Sequence, residues 1–302
     1  MLFLTIWPVF ALICLGFALQ RACFPDAGFW PAAERVNYVL LFPALLVSTL
    51  ADAPVRDPDL LRLGGAVVAT ICAAAALMAL VRRARPMPAR RFGPALQGVV
   101  RFNTYLGLAI VASLAGDPGL ERAAVLLAVA VPLVNLLSIM ALTDGSGTRG
   151  YGALVRRVVT NPLILACIAG IAIALSGSGL PFGTGRFLGL IAQASLPLGL
   201  LCVGAALRPA ALRQHVGALA VIAVVRLLAM PAIAVVVAQG LGLQGVETLA
   251  LVVFAAIPTA PTSYVLTRQL GGDGELMAGI VTAQTVASVL TIPVVLSLAG
   301  LG

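Results

Sequence analysis

The chain has 302 residues, 61% of them apolar and only 10% charged, with a mean hydropathy of +1.09. A soluble domain covers its surface with about a quarter charged residues, so this composition excludes an ordinary soluble fold and points to lipid as the solvent. The formal charge of +8 comes from arginine alone, and in a membrane chain that excess reads as orientation rather than nucleic-acid binding.

Taken in order, apolar segments of about the 20 residues that cross a bilayer as a helix cover 2–20, 36–52, 60–81, 93–115, 120–142, 161–177, 186–207, 215–240, 246–270 and 275–300. The first has neither a positive n-region nor a small-residue cleavage pattern and reads as a span, not a signal peptide. The predicted fold class is therefore an all-α polytopic membrane protein of ten spans. The loop 21–35 carries Pro25, Gly28 and Pro31, and the loop 82–91 holds five arginines. The stretch 144–160, rich in Gly and Arg, reads as a cytoplasmic linker between a first five-helix repeat over 1–143 and a second over 161–302. Five spans per half make the repeats inverted. With the N-terminus outside, thirteen arginines fall in inner loops and four (Arg56, Arg62, Arg122, Arg186) in outer ones. Both termini are thus expected on the outer face of a bacterial inner membrane.

Internal repetition marks the same division. Leu114-Ala115-Gly116-Asp117-Pro118-Gly119-Leu120 returns 156 residues later as Leu270-Gly271-Gly272-Asp273-Gly274-Glu275-Leu276, and Pro43 is echoed by Pro197. Each signature follows a span interrupted by polar residues. The first is Arg101-Phe102-Asn103-Thr104-Tyr105, and the second is Pro258-Thr259-Ala260-Pro261-Thr262-Ser263-Tyr264. Two prolines three apart remove helical hydrogen bonds. Backbone freed in this way survives at membrane depth only inside protein or beside a wet cavity. Proline kinks are ordinary in membrane helices, but breaks at matched places in two halves point to a transport site.

The candidate substrate-binding residues are Asn103, Thr104, Arg101, Pro258, Thr259, Pro261, Thr262 and Ser263, where helix N-termini can help to hold a carboxylate. Gln97, Asn135, Arg226, Thr282, Gln284 and Thr285 form a second tier, and for the neutral ones interhelical bonding competes with ligand binding. Arg101 either snorkels to the cytoplasmic surface or lends positive potential to an anion path. Arg226 either does the same or bonds backbone carbonyls near Pro231 or at a broken helix end. Gly107, Gly199 and Gly204 are expected to permit close helix approach. No Asp or Glu sits clearly inside a predicted span; Asp52, Glu121, Glu247 and Glu275 fall within a residue or two of span ends.

Arg-Phe-Asn-Thr followed by Gly-Leu around Asn103, and Ile-Pro-Thr-Ala-Pro-Thr-Ser-Tyr-Val-Leu with Gly-Gly-Asp beyond it, resemble the auxin efflux carrier family. That family includes the plant exporters and bacterial organic-anion permeases, malonate permeases among them. The resemblance covers the whole chain. It implies two crossed broken helices, with Asn103 at the first crossing and Pro258 at the second, a dimerising scaffold from spans 1, 2, 6 and 7, and a moving body from spans 3–5 and 8–10. The first crossing here has no proline, and Thr262 stands where bacterial relatives often have Asn.

The expected function is a secondary transporter that moves a small organic anion, a carboxylate, by alternating access. The alternative is a sodium-coupled organic-anion symporter of the bile-acid type, with cation sites at Gln97, Thr282, Gln284 and Ser288. No GxxxxGK[ST] loop occurs, which argues against ATP-driven transport. An intramembrane enzyme lacks a nucleophile–base pair, because the lone His215 has no partner motif. Five scattered cysteines (Cys14, Cys23, Cys72, Cys167, Cys202) show no metal or disulfide spacing. No cofactor, metal or nucleic acid is expected; the implied partners are the anion, the bilayer and a second copy of the chain.

Overall fold

The computed structural model describes residues 2–26, 28–54, 57–143 and 160–301; Arg56, Arg149, Arg156 and Arg157 and nearly all of the 144–160 linker lie outside the described residues. Those described form helices and no strands. The helices are α1 (Leu2–Arg21), α2 (Phe29–Ala51), α3 (Pro58–Ala84), α4 (Ala89–Val100), α5 (Thr104–Thr143), α6 (Pro162–Ser176), α7 (Thr184–Ala205), α8 (Val216–Gly240), α9 (Gly245–Ala256), α10 (Thr262–Gln269) and α11 (Gly274–Leu298). Seven stretches are long and apolar enough to cross a membrane, one of them the 55-residue run Ala89–Thr143, while α6 and α9 are shorter apolar helices. Large apolar side chains such as Leu4, Leu61, Leu80, Val221, Leu290 and Leu298 face outward. That is costly in water and neutral in hydrocarbon.

Local chemistry sets the helix ends. Asp57 and Asn161 accept the backbone N–H of Asp59 and Leu163, each just ahead of a proline at the first helical position, the arrangement that suits orphan donors. In the repeated signature, Asp273 caps α11 by accepting from Leu276 N–H at 3.0 Å. Its counterpart lies in a kink. Gly116 has φ 59° and ψ −147° and splits α5 into two limbs, a conformation open essentially to glycine alone. The gap left at 116–119 between two of the predicted spans thus shrinks to one residue, and Pro118 already sits in the second limb.

A second boundary differs more. α2 begins at Phe29, not at 36, so Glu34 and Arg35 lie on a helix and not in a loop. Alanine, glutamate and arginine are good helix formers, and one helical turn here buries Trp30 and Ala33.

Packing falls into two groups. α1 packs along α7, and α2 along α6 and α7; α3, α4, α8, α9, α10 and α11 pack among themselves, with α5 touching both groups. Backbones meet where α1 crosses α7. A Cβ on Gly204 would sit 1.9 Å from the Ile13 carbonyl oxygen, and one on Gly16 would sit 2.0 Å from that of Leu201. Gly107 and Gly199 are likewise closed in by Phe254 and Tyr105, as small residues at helix contacts should be.

Gly204→Ala is expected to lower the melting temperature in detergent, consistent with an overpacking cost of about 1–3 kcal/mol. Gly217→Ala, with nothing within 4 Å of the new methyl, should leave it unchanged. Equal melting of the two variants would refute the backbone contact.

Candidate functional site

The two interrupted segments are broken in the same way. α4 and α9 are both 12 residues long, and each ends in an extended residue, Arg101 (φ −82°, ψ 154°) and Ile257 (φ −76°, ψ 154°). The chain then runs without helix through Asn103 and through Pro261, respectively, before α5 and α10 begin. The breaks touch: Asn103 N–H donates to the Pro258 carbonyl at 2.8 Å. Almost every residue of α4 from Phe92 on, and of α9 from Leu249 on, is buried, so the freed backbone is enclosed by protein.

Prolines explain only the second break. The first is held by side chains from elsewhere. Arg226, 1% exposed, donates from Nε to the Ile257 carbonyl (2.7 Å), from Nη1 to Val99 (2.9 Å) and from Nη2 to Phe254 (2.6 Å). One guanidinium therefore caps the C-terminal ends of both half-helices, where carbonyls are orphaned and the macrodipole is negative. It rides on a π-helical turn of α8, Val225–Ala229. Gln284 of α11 joins the same breaks, donating to Gly98 O at 2.7 Å and accepting from Thr259 N–H at 2.9 Å. Thr259 hydroxyl donates to Gln97 O, and Gln97 Nε2 donates to Thr267 hydroxyl.

With the C-terminal ends turned toward Arg226, the N-termini of α5 and α10 turn toward a cavity of about 560 Å³ between the two packing groups. Arg101, Asn103, Thr104, Asn135, Pro261 and Thr262, all anticipated from sequence, line it. Arg101 donates to Asn135 Oδ1 at 2.9 Å. Asn103 is 1% exposed; its Oδ1 accepts from Leu106 N–H as an N-cap, and its Nδ2 has no partner. Pro258, Thr259, Ser263, Gln97, Arg226, Thr282, Gln284 and Thr285 are not in this wall. They form the buried layer behind it: Thr282 accepts from Arg208 N–H and donates to Ala278 O, and Thr285 donates to Val281 O. For the proposed cation set, Gln284 and Thr282 have donor and acceptor both engaged, and Ser288 donates to Thr285 O.

Several lining residues escaped the sequence reading, namely Glu34, Tyr38 and Phe42 of α2, Tyr105 of α5, Cys202 of α7 and Gln269 of α10. The spacing Trp30, Glu34, Tyr38, Phe42 is one helix face at every fourth position, a signal hidden once the helix was expected to start later. Behind it Asn37 and Ser195 exchange hydrogen bonds, Asn37 Nδ2 to Ser195 O and Ser195 Oγ to Asn37 Oδ1, both 2.9 Å, fastening α2 to α7.

A model of the family described as membrane transport protein matches residues 149–296. A protein of Methanothermobacter thermautotrophicus, named an uncharacterized transporter, is 24% identical over 294 residues, covering 96% of this chain and 95% of its own. Both findings agree with the resemblance carried by the two motifs.

Arg226→Met is expected to destabilise the protein by at least about 3 kcal/mol, because removing a buried charge partner strands the groups around it. Arg226→Lys should recover only part, since an ammonium cannot span three carbonyls in the fork geometry of guanidinium. Chemical denaturation in detergent reads both, and a wild-type stability for Arg226→Met would remove the capping role.

Proposed function

From the match of residues 149–296 to the membrane transport protein family and the resemblance to the auxin efflux carriers, we propose a secondary transporter that moves a small organic anion, a carboxylate, by alternating access. The observation that carries this reading is Asn103, whose amide N–H₂ is buried, unpartnered and set in the cavity wall. A buried donor left without a partner costs about 1–3 kcal/mol, which a carboxylate oxygen would recover. The N-termini of α5 and α10, with Thr104 and Thr262 as their first residues, add the positive ends of two helices. Arg101 supplies a full charge nearby.

In this proposal the chain makes ten passes as two inverted repeats. The 156-residue spacing of α4 and α9, their equal length and their matching extended ends support it. Helices α1, α2, α6 and α7 form the scaffold, which also makes a homodimer, and α3–α5 with α8–α11 form the moving body. The placement of the cavity between these groups supports that division. Both termini lie on the outer face of a bacterial inner membrane. Pro258, Thr259 and Ser263, with Gln97 and Gln284, act by holding the crossing in shape, behind the residues that meet the anion.

Asn103→Ala should weaken binding of the transported carboxylate about tenfold to a hundredfold, the worth of one hydrogen bond to a charged group, together with a modest fall in the ligand-free melting temperature from the lost N-cap, worth about 1 kcal/mol. Isothermal titration of carboxylates that raise the melting temperature reads this directly. Unaltered affinity in both Asn103→Ala and Thr262→Ala would remove the site assignment.

A further inference from the structure

An anion path free of carboxylates leaves no group to carry a coupling proton. The position of Glu34 changes this. It lies on α2, half-buried, and lines both the 560 Å³ cavity and an adjoining one of about 350 Å³. Among the described residues its carboxylate makes no hydrogen bond and no ion pair. We propose that Glu34 is a proton-binding site that couples proton movement to anion movement through this cavity, an inference that rests on the anion-transport reading above.

The surrounding charges support the assignment. On its own helix, Arg35 is exposed and Tyr38 stands one turn further along the cavity face. Across the cavity, Arg101 is engaged by Asn135. Tyr105 of α5 and Cys202 of α7 complete the near wall. At the adjoining cavity Arg208 is stacked 4.6 Å from the Tyr264 ring centre and donates to its hydroxyl at 3.2 Å. Each of these cations is held elsewhere or turned to water, and none comes within 4 Å of the Glu34 carboxylate among the described residues.

When an anion enters, the cavity holds two negative groups. Like charges confined together favour protonation of one of them. A proton taken from water on the loading face binds a Glu34 carboxylate oxygen, and once movement of the other body opens the cavity to the opposite face, the anion and the proton are both released to water there. No covalent bond to substrate is made or broken. An ionisable side chain in a membrane-spanning cavity is expensive to keep without such a task.

The test uses proteoliposomes loaded with a pH-sensitive dye and a panel of malonate, succinate, pyruvate, phenylacetate and, as zwitterions of no net charge, alanine and glycine, with protein-free vesicles as the baseline. Thermal shift first identifies which panel members bind. Uptake of a binding carboxylate is expected to acidify the lumen. Glu34→Gln should abolish the acidification while still equilibrating the anion down its gradient, and Glu34→Asp should retain it. Carboxylate uptake without acidification in the wild type overturns the proposal and leaves the anion reading standing, as does acidification undiminished in Glu34→Gln. Binding by the zwitterions alone also overturns it, giving Glu34 to a substrate ammonium. If no carboxylate binds, the anion reading fails and this inference falls with it. Should Glu34→Gln not fold, the wild-type proton-to-anion ratio and Glu34→Asp still decide.

Discussion

Two helix C-termini meet at one buried guanidinium. Orphan carbonyls at the ends of α4 and α9 would otherwise face each other in a low-dielectric interior, with two negative dipole ends in contact. Arg226 answers three of those carbonyls at 2.6–2.9 Å, and they in turn repay the cost of burying its charge. Neither partner is stable alone. Once the C-terminal ends are fixed on Arg226, the N-terminal ends of α5 and α10 must point away from it, and that direction is where the cavity lies.

The crossing is less symmetric than the repeated sequence suggests. Position 70, the counterpart of Arg226 at the 156-residue shift, is Thr70, which among the described residues bonds its own helix through the Ala66 carbonyl. Gln284, which bridges the two breaks, also comes from the second half. The second half therefore supplies the clamp, while both halves supply residues to the cavity wall. This division accounts for a first break without proline: its released carbonyls at Gly98 and Val99 are taken up by Gln284 and Arg226, and Gln97 O accepts from Thr259 hydroxyl as well as from Arg101 N–H. In the second break Pro258 and Pro261 cannot donate to the carbonyls four residues earlier, Phe254 and Ile257, and Arg226 takes both.

Around this fixed crossing the two packing groups meet along α5 and the cavity. Contacts within the groups are of a tight kind, such as the glycine-mediated crossing of α1 and α7 and the Asn37–Ser195 exchange. The group built around the breaks has ties of its own: Arg122 pairs with Glu247 at 2.9 Å at the start of α9, and Asp273 N–H donates to Arg90 O at the start of α4. Both pin the entry of a broken span to a helix of the opposite half. Rigid groups with a cavity between them are what movement of one body against another requires.

Much of this was legible in the residues. Composition determined the solvent, since lipid is the medium in which outward-facing Leu, Val and Phe cost nothing. The Gly-Asp signature located one kink and one capped turn because a positive-φ glycine and an Asp N-cap are local requirements. The polar runs around Asn103 and Thr262 located the breaks. The tertiary structure decided what those runs do. Whether a threonine or glutamine in a broken helix faces a ligand or a neighbouring carbonyl depends on which helix lies across from it, and nothing local encodes that. Thr259, Ser263, Gln97 and Gln284 accordingly went to the supporting layer, and Asn103 kept a free donor. Arg226 had two roles open to it in sequence, and the arrival of α4 and α9 at its fork chose the structural one. Glu34 changed most. Pro25, Gly28 and Pro31 make its surroundings look like a loop, yet burial of Trp30 and Ala33 against α7 carries the helix back to Phe29 and sets a carboxylate in the cavity wall.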